Sequence, residues 1–393
     1  MRGKKPPRQG VVVVGRNSGG KVGSCLLTGL LASVAVCLIP AGVRADTGTT
    51  VADLSGLSIE ELANLPVTSV SKVAQPLSDA AAAIFVITHD DIMHSGAQSL
   101  PEILRLAPNL QVAQMSANNY VITARGFNGN DADKLLVLID GRTIYSPLFG
   151  GVYWYEQEIL PENIERIEII SGPGATLWGA NAVNGVINII TRKSGATQGG
   201  VLDLSAGNRG GQGSLQYGGT LESDLAYRVY MDSSTTPSDK TSTGANAEDG
   251  WTKTQGGFRL DWTPQNDTVS LQGDLYHGDL DAVAAPAIGI SGSNLQVTWQ
   301  HPLGDGAALQ VLAYYDGTRQ FEGIDGGYTL NTYDLEVQHS FSPWEGHNIV
   351  WGAGYRLFQD DMGLWGRCNM SRPRAWNRFP TSSHRTRLRS IRR

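Results

Sequence analysis

Cysteine is nearly missing from this sequence. Three occur in 393 residues, Cys25, Cys37 and Cys368, none in the middle of the chain; this excludes a disulfide framework and a cysteine-based metal site. After residue 45 no apolar run is long enough to cross a membrane as a helix, so any membrane role falls to strands. The signatures of nucleotide and ester chemistry are missing too. Gly172-Pro-Gly-Ala-Thr-Leu-Trp-Gly179 has no Lys-Ser/Thr behind it, Gly352-Ala-Gly354 is equally bare, and there is no Gly-x-Ser-x-Gly elbow. His89 and His94 stand five apart and do not share a helix face; Asp90 does share one with His94, and Asp90 and Asp91 are explained by the start of a helix. The residues therefore offer no catalytic group, no metal site and no cofactor site, and the chain is not read as an enzyme.

Basic charge is scarce where it matters. Residues 1–45 hold seven Lys/Arg and no acid, and residues 367–393 hold nine Arg and no acid. Between them, 15 bases face all 37 acids, a balance of −22 over residues 46–366. A body of that sign excludes nucleic acid as a partner and suits a hydrated polar interior. Glycine, at 48 residues, is abundant.

Residues 1–45 read as a secretory signal peptide. Basic residues precede the apolar run Cys25–Ile39, Pro40 and Gly42 break it, and Val43-Arg44-Ala45 precedes a cleavage point before Asp46. A membrane anchor would need about 20 apolar residues; lipid attachment at Cys37 is a third option. Residues 46–75 read as an exposed N-terminal arm, with Ser58 and Glu61 as a capping box. Its end, Leu65-Pro-Val-Thr-Ser-Val-Ser-Lys72, is either a plain linker or an extended recognition segment.

Residues 76–195 read as a small α+β domain. Ile84–Thr88 is a strand, Thr88 and Asp91 cap a helix that Gly96 ends, and Ser99 opens a second helix with Pro101 in its first turn. Leu110–Ala113, Tyr120–Arg125 and Leu135–Ile139 follow as strands, the last ending in an Asp140-Gly141 turn. The domain closes on IERIEIISGPGATLWGANAVNGVINIIT, Ile164–Thr191, two β-branched runs around a glycine-rich bend. Gly185 inside the second run marks a bulge or a close backbone approach.

From Gly199 to Gly366 the pattern is period two. Leu225, Tyr227, Val229 and Met231 alternate with Arg228, Tyr230 and Asp232; Phe258, Leu260 and Trp262 alternate with Arg259 and Asp261; Leu295, Val297 and Trp299 alternate with Gln296 and Thr298. Roughly eight to nine such strands are present, apolar outward and polar inward, with Trp and Tyr near their ends, as in membrane barrels.

The closing run of the α+β domain, together with Arg125-Gly-Phe127 and Leu136-Val-Leu-Ile-Asp-Gly141, resembles the plug domain of TonB-dependent outer-membrane receptors. The resemblance implies an α+β plug domain followed by an antiparallel transmembrane β-barrel, incomplete here, with residues 196–366 as its first part and 367–393 as a basic non-barrel tail. It implies a receptor in the outer membrane, surrounded by its lipid and acting as a monomer, for active uptake of a scarce small-molecule chelate, a ferric siderophore first. The TonB energising complex would contact Val67, Thr68, Ser69, Val70, Ser71 and Lys72. Arg125 and Glu168 would form plug–barrel ion pairs, although Ser171 stands where the family has arginine before the Gly-Pro turn. Ligand-facing apices would be Phe127, Asn128 and Asn130, and Tyr153, Trp154 and Tyr155, with plug–barrel packing as the other reading, for Trp154 in particular. Plugged transporters close with ~22 strands. Fewer are present, and the text after Gly366 loses its alternation. A truncated or frame-shifted product is the simplest account, an assembly-defective fragment in which only the plug folds; a genuine basic tail is the alternative.

Overall fold

A computed structural model of the chain describes residues 12–17, 65–69, 72, 75–80, 82–126, 134–179, 181–281, 288–304, 306–321, 326–344, 347–363 and 385–387. Among these, no helix is long and apolar enough to cross a membrane.

The first strands are short: β1 (Val12–Asn17), then β2 (Pro66–Val67) paired with β3 (Gln75–Pro76). The plug domain follows. β4 (Ala83–Thr88) runs into helix α1 (His89–Ser95). The Thr88 hydroxyl accepts from the Asp91 amide while the Asp91 carboxylate accepts from the Thr88 amide, and Gly96 closes the helix at φ 69°, the reciprocal cap expected of this spacing. Helix α2 (Leu100–Leu104) starts at Ser99, whose side chain makes no cap bond, and ends one turn earlier than the apolar spacing through Ala107 implies. The hairpin β5 (Leu110–Gln114) and β6 (Tyr120–Ala124) stands apart from the main sheet. That sheet has the order β4-β9-β10-β7-β8, built from β7 (Leu135–Ile139), β8 (Arg142–Thr143), β9 (Ile164–Ser171) and β10 (Gly185–Thr191), with helix α3 (Ala175–Trp178) between the last two. β10 lies parallel to β7 and antiparallel to β9.

One face of this sheet buries Ile87, Ile167, Ile169, Ile187 and Ile189 against Ile92, Leu100, Ile103 and Leu104 of the helices. The other carries a smaller cluster, Leu136, Leu138, Ile170 and Val186. Gly185 sits where the backbones crowd: a Cβ there would lie 2.6 Å from the Ile170 carbonyl oxygen.

The remaining strands form one antiparallel wall in chain order: β11 (Gly199–Gly207), β12 (Gly210–Glu222), β13 (Leu225–Thr236), β14 (Trp251–Trp262), β15 (Thr268–Leu280), β16 (Ile288–Gly304), β17 (Ala307–Phe321), β18 (Gly327–Trp344) and β19 (His347–Gly363). β1 adds to β11 in parallel, and β20 (Arg385–Arg387) adds to β19. The wall inverts the usual burial. Val229, Met231, Leu275, Leu295, Val297 and Leu335 are exposed, whereas Arg228, Asp232, Lys253, Gln255, Arg259 and Asp261 are buried. Strand register explains this: residues two apart share a face, and every wall strand from β13 to β18 places a polar side chain against the plug. At the end of the short connections, Trp262, Trp344 and Trp351 are exposed and Trp299 stacks on His301 at 5.8 Å, an aromatic girdle of the interfacial kind.

Candidate functional site: the arm latch, the plug–wall seam and the apex

Glu168 and Asn188 face each other across β9 and β10, on the face away from the main core. The arm covers them. The Thr68 and Ser69 amides donate to Glu168 Oε2 at 3.1 and 3.0 Å, and the Ser69 hydroxyl donates to the same oxygen. Asn188 Nδ2 donates to the Ser69 hydroxyl at 3.0 Å, and Trp178 Nε1 donates to the Ser69 carbonyl at 2.7 Å. Arg166 Nε pairs with the other Glu168 oxygen at 2.9 Å. Val67, Ser69 and Glu168 are fully buried. Lys72, at φ 57°, lies 4.9 Å over the Trp178 ring and pairs with Glu336 of β18, while its carbonyl accepts from Gln338 at 3.1 Å. Val70 and Ser71 lie outside the described residues.

Glu168, expected in a plug–barrel ion pair, is satisfied by Arg166 and the arm, because strand alternation points its carboxylate at the arm. Arg125 is exposed at φ 59°, and Ser171, in the arginine position, accepts from Asn109 Nδ2 at 2.6 Å.

The plug–wall charges gather elsewhere. Asp140, in the left-handed turn after β7, accepts from the Thr191 amide and hydroxyl at 2.9 and 2.6 Å, and from wall residues Gln272 and Arg259 at 2.9 and 3.3 Å. Its carbonyl accepts from Gln296 at 2.6 Å. Arg259 also pairs with Asp261, which accepts from the Ser194 amide at 2.6 Å. Arg142 pairs with Asp316. Lys253, fully buried, donates to the Tyr155 and Glu156 carbonyls at 3.3 and 2.9 Å. Burial pushes the Glu156 carboxyl up to about 8, with Asp316 adding to the effect and Lys253 and Tyr328 opposing it. Burial likewise carries Glu158 to about 7. The crevice among these groups has room for about 50 Å³, enough for a few water molecules.

At the end of the long connections the plug presents two apices. One is the turn between β5 and β6: the Ala117 amide donates to Asp249 at 2.8 Å, and Arg209 donates to Gln114 at 2.7 Å. β6 runs away from this turn, so Arg125 stands at the far end of the strand from the apex; Phe127, Asn128 and Asn130 beyond it lie outside the described residues. The other apex is aromatic. Phe149 stacks on Tyr153 at 4.5 Å, Tyr153 lies 5.4 Å from Tyr155 and 6.3 Å from Tyr328, and Tyr155 meets Trp251 edge-on at 5.8 Å. Tyr155 donates to Gln320 at 3.0 Å. Trp154, expected beside them as ligand-facing, is 3% exposed and packed in the plug core. Its two neighbours point the opposite way, which leaves it no face for a ligand.

Among the described residues no group of three or more His, Cys, Asp and Glu is placed to hold a metal ion. His89 Nδ1 contacts the Ile164 carbonyl at 2.7 Å, and burial lowers its pKa; His94 meets Asp90 at 3.0 Å.

The family model of the TonB-dependent receptor plug domain matches residues 76–186, a stretch that holds the helices, both apices and the sheet as far as the start of β10. Residues 76–186 are the plug of a TonB-dependent receptor. A vitamin B12 transporter BtuB of Vibrio vulnificus is 36% identical over 144 residues, 36% of this chain and 23% of that protein. A ferric enterobactin receptor of Pseudomonas aeruginosa is 29% identical over 254 residues, 54% of this chain and 34% of that protein. Among solved structures, a point mutant of the Pseudomonas aeruginosa ferric enterobactin receptor PfeA superposes with a TM-score of 0.57 at 19% identity, covering 72% of this chain and 50% of its own. Pseudomonas aeruginosa FpvA with a heterologous pyoverdine gives 0.56 at 14% identity, covering 76% and 45%. The chain thus spans about half the length of those solved receptors. The likeness establishes the fold of plug and wall together: a plug of mixed sheet and few helices, then nine antiparallel strands matching part of a receptor barrel. Receptors of this family are outer-membrane transporters, not enzymes.

Proposed function

We propose that this chain acts as the plug and part of the barrel of an outer-membrane receptor that takes up a scarce small-molecule chelate, the ferric siderophores being the leading class, with energy supplied through TonB at Val67–Lys72. The observation that carries this is the inverted wall: apolar side chains on the outside, buried charges inside, and the inside facing a plug rather than water. A soluble sheet exposing Leu275, Met231 and Leu295, at 69, 58 and 46%, would leave a large unpartnered apolar surface; lipid is the natural partner of such a face. The plug is held by hydrogen bonds and ion pairs, which can exchange for water one at a time, so it can be rearranged by a pull on the arm. The arm's docking makes Ser69 the first contact to yield. The test is outer-membrane fractionation of the full chain, followed by uptake of labelled chelate in cells with and without TonB. Membrane association with TonB-dependent uptake is the expected result; a water-soluble chain overturns the reading.

A further inference from the structure

We infer that the ligand's passage opens along one seam, between wall strands β13–β17 and the plug segment 144–163, with the plug sheet kept whole. The seam rests on the receptor reading above and says where the plug of that receptor parts from its wall.

Segment 144–163 joins β8 to β9, and its two sides are unlike. Toward the plug it is apolar: Ile144, Val152 and Trp154 are buried in the main core. Toward the wall, below the rings, polar contacts hold it. Lys253 donates to the Tyr155 and Glu156 carbonyls, Gln255 Nε2 donates to the Glu158 carbonyl at 3.1 Å, and neighbouring Arg142 pairs with Asp316. Water replaces polar contacts one at a time, while buried apolar surface holds as a unit. The segment therefore stays with the plug and leaves the wall.

Space for the parting is built in. On β14 the crevice of about 50 Å³ runs from Gln255 to Arg259, about 13 Å of strand. A second crevice, of about 30 Å³, lies beside Thr143, Ser146 and Thr332. Glu156 and Gln157 line both, and the Arg142–Asp316 pair stands between them, Arg142 lining the first and Asp316 the second. Wall glycines make the room. Tyr230 and Tyr276, which line the first crevice, lie over Gly257 and Gly292 of the next strand. A Cβ at Gly257 would fall 2.7 Å from the Tyr230 ring, and one at Gly292 closer still to Tyr276. A side chain at either place would push the ring into the crevice.

A pull on the arm reaches this seam directly. Glu168, which holds the arm, lies on β9, and β9 continues segment 144–163 at Ile164. The competing route peels β4, the first sheet strand after the arm, from β9. That route breaks the whole ladder from Ala83 to Thr88 over buried Ile87, Ile167 and Ile169.

Two measurements on the full chain decide between the routes. In the first, Cys25, Cys37 and Cys368 are replaced by serine, and Asn294→Cys places a thiol on β16 in the crevice. Lys253→Met keeps the aliphatic stem and removes the ammonium. In detergent, a small charged thiol reagent should label residue 294 at least tenfold faster in that variant, and at least threefold faster in the milder Gln255→Ala. Amide exchange at Val137 and Ile187 of the sheet should stay within threefold of the parent. Labelling unchanged in both variants, or sheet amides that accelerate in step with it, overturns the inference. In the second, Ala83→Cys with Ser171→Cys, directly opposite across β4 and β9, locks the sheet with a disulfide. Uptake of labelled ferrichrome, ferric enterobactin and cyanocobalamin is followed in cells with and without TonB. Whichever of these the parent takes up, the locked chain should take up at no less than half the parent's rate. Uptake lost on locking and restored by reduction overturns the inference and leaves the receptor reading standing. A parent that takes up none of the three overturns the receptor reading instead, and the labelling result still decides where the plug parts from the wall.

Discussion

Glu168→Ala should free the arm without unfolding the plug. In the native chain one carboxylate oxygen accepts the Thr68 amide, the Ser69 amide and the Ser69 hydroxyl. A hydrogen bond to a charged acceptor contributes about 1.5–3 kcal/mol. The freed arm groups regain water, so the net loss sits at the bottom of the summed range, about 4.5 kcal/mol, or about two-thousandfold in the docking equilibrium. Asn188 and Trp178 still hold Ser69, which limits the effect to the arm. Glu168→Gln keeps a carbonyl acceptor but loses the charge and should give about half that free energy. The assay is amide hydrogen exchange at Thr68 and Ser69, with Val137 and Ile187 in the plug core as internal references. Exchange at Ser69 should accelerate by two to three orders of magnitude in the alanine variant while the core amides stay protected. Ser69 exchange within threefold of wild type would refute the reasoning and mean that the indole and amide contacts alone hold the arm.

Three other outcomes follow from the same geometry. Glu156 has its pKa raised from 4.5 to about 8 by burial, so docking of the 153–158 loop is undiminished below pH 4.5, loses stability as pH climbs toward 8 and is flat beyond. Glu156 alone should make the loop hold about 3 kcal/mol less tightly at pH 9 than at pH 6; its exchange rates at the two pH values measure this, and Glu156→Gln should leave only the smaller slope of Glu158, which levels off above about pH 7. Trp154→Ala removes a buried indole from the plug core and should cost about 3–5 kcal/mol, read from denaturant melts followed at the plug. Gly185→Ala drives a Cβ against the Ile170 carbonyl at 2.6 Å, and the strands must part; about 1–3 kcal/mol of plug stability should be lost, seen as a lower melting temperature with wall strands unaffected.

Local chemistry made much of this fold legible in advance. Thr88, Asp91 and Gly96 spell a capped helix in any context, and Gly185 among β-branched residues announces a close backbone. The wall strands from β13 onward were readable because alternation survives in them. β11 and β12 were less so: eight of their residues are glycine, which carries no pattern. The site was harder to read, for one physical reason: its members are brought together across long separations. Asp140 reads as half of a turn; only the tertiary structure sets it against Gln272, Arg259 and Gln296. Arg259 and Asp261 read as water-facing, but the water they face is largely replaced by the plug. Of the two readings of Trp154, ligand contact and packing, the structure has packing: the ring is buried while its two neighbours face the apex.

That replacement of water by plug also explains how a buried, charged interface can be retained by a part that has to move. An apolar seam of similar extent would be held by the hydrophobic effect, at about 25 cal/mol for each Å² removed from water, and would resist sliding as a whole. Here the contacts are single polar pairs: Arg142 with Asp316, Asp140 with Arg259 and Gln272, Lys253 with two carbonyls. Each is worth little net, because its partners can return to water at nearly the same free energy. The plug is thus seated firmly by the number of its contacts and released by their exchangeability, and the arm at Ser69 is where release can begin.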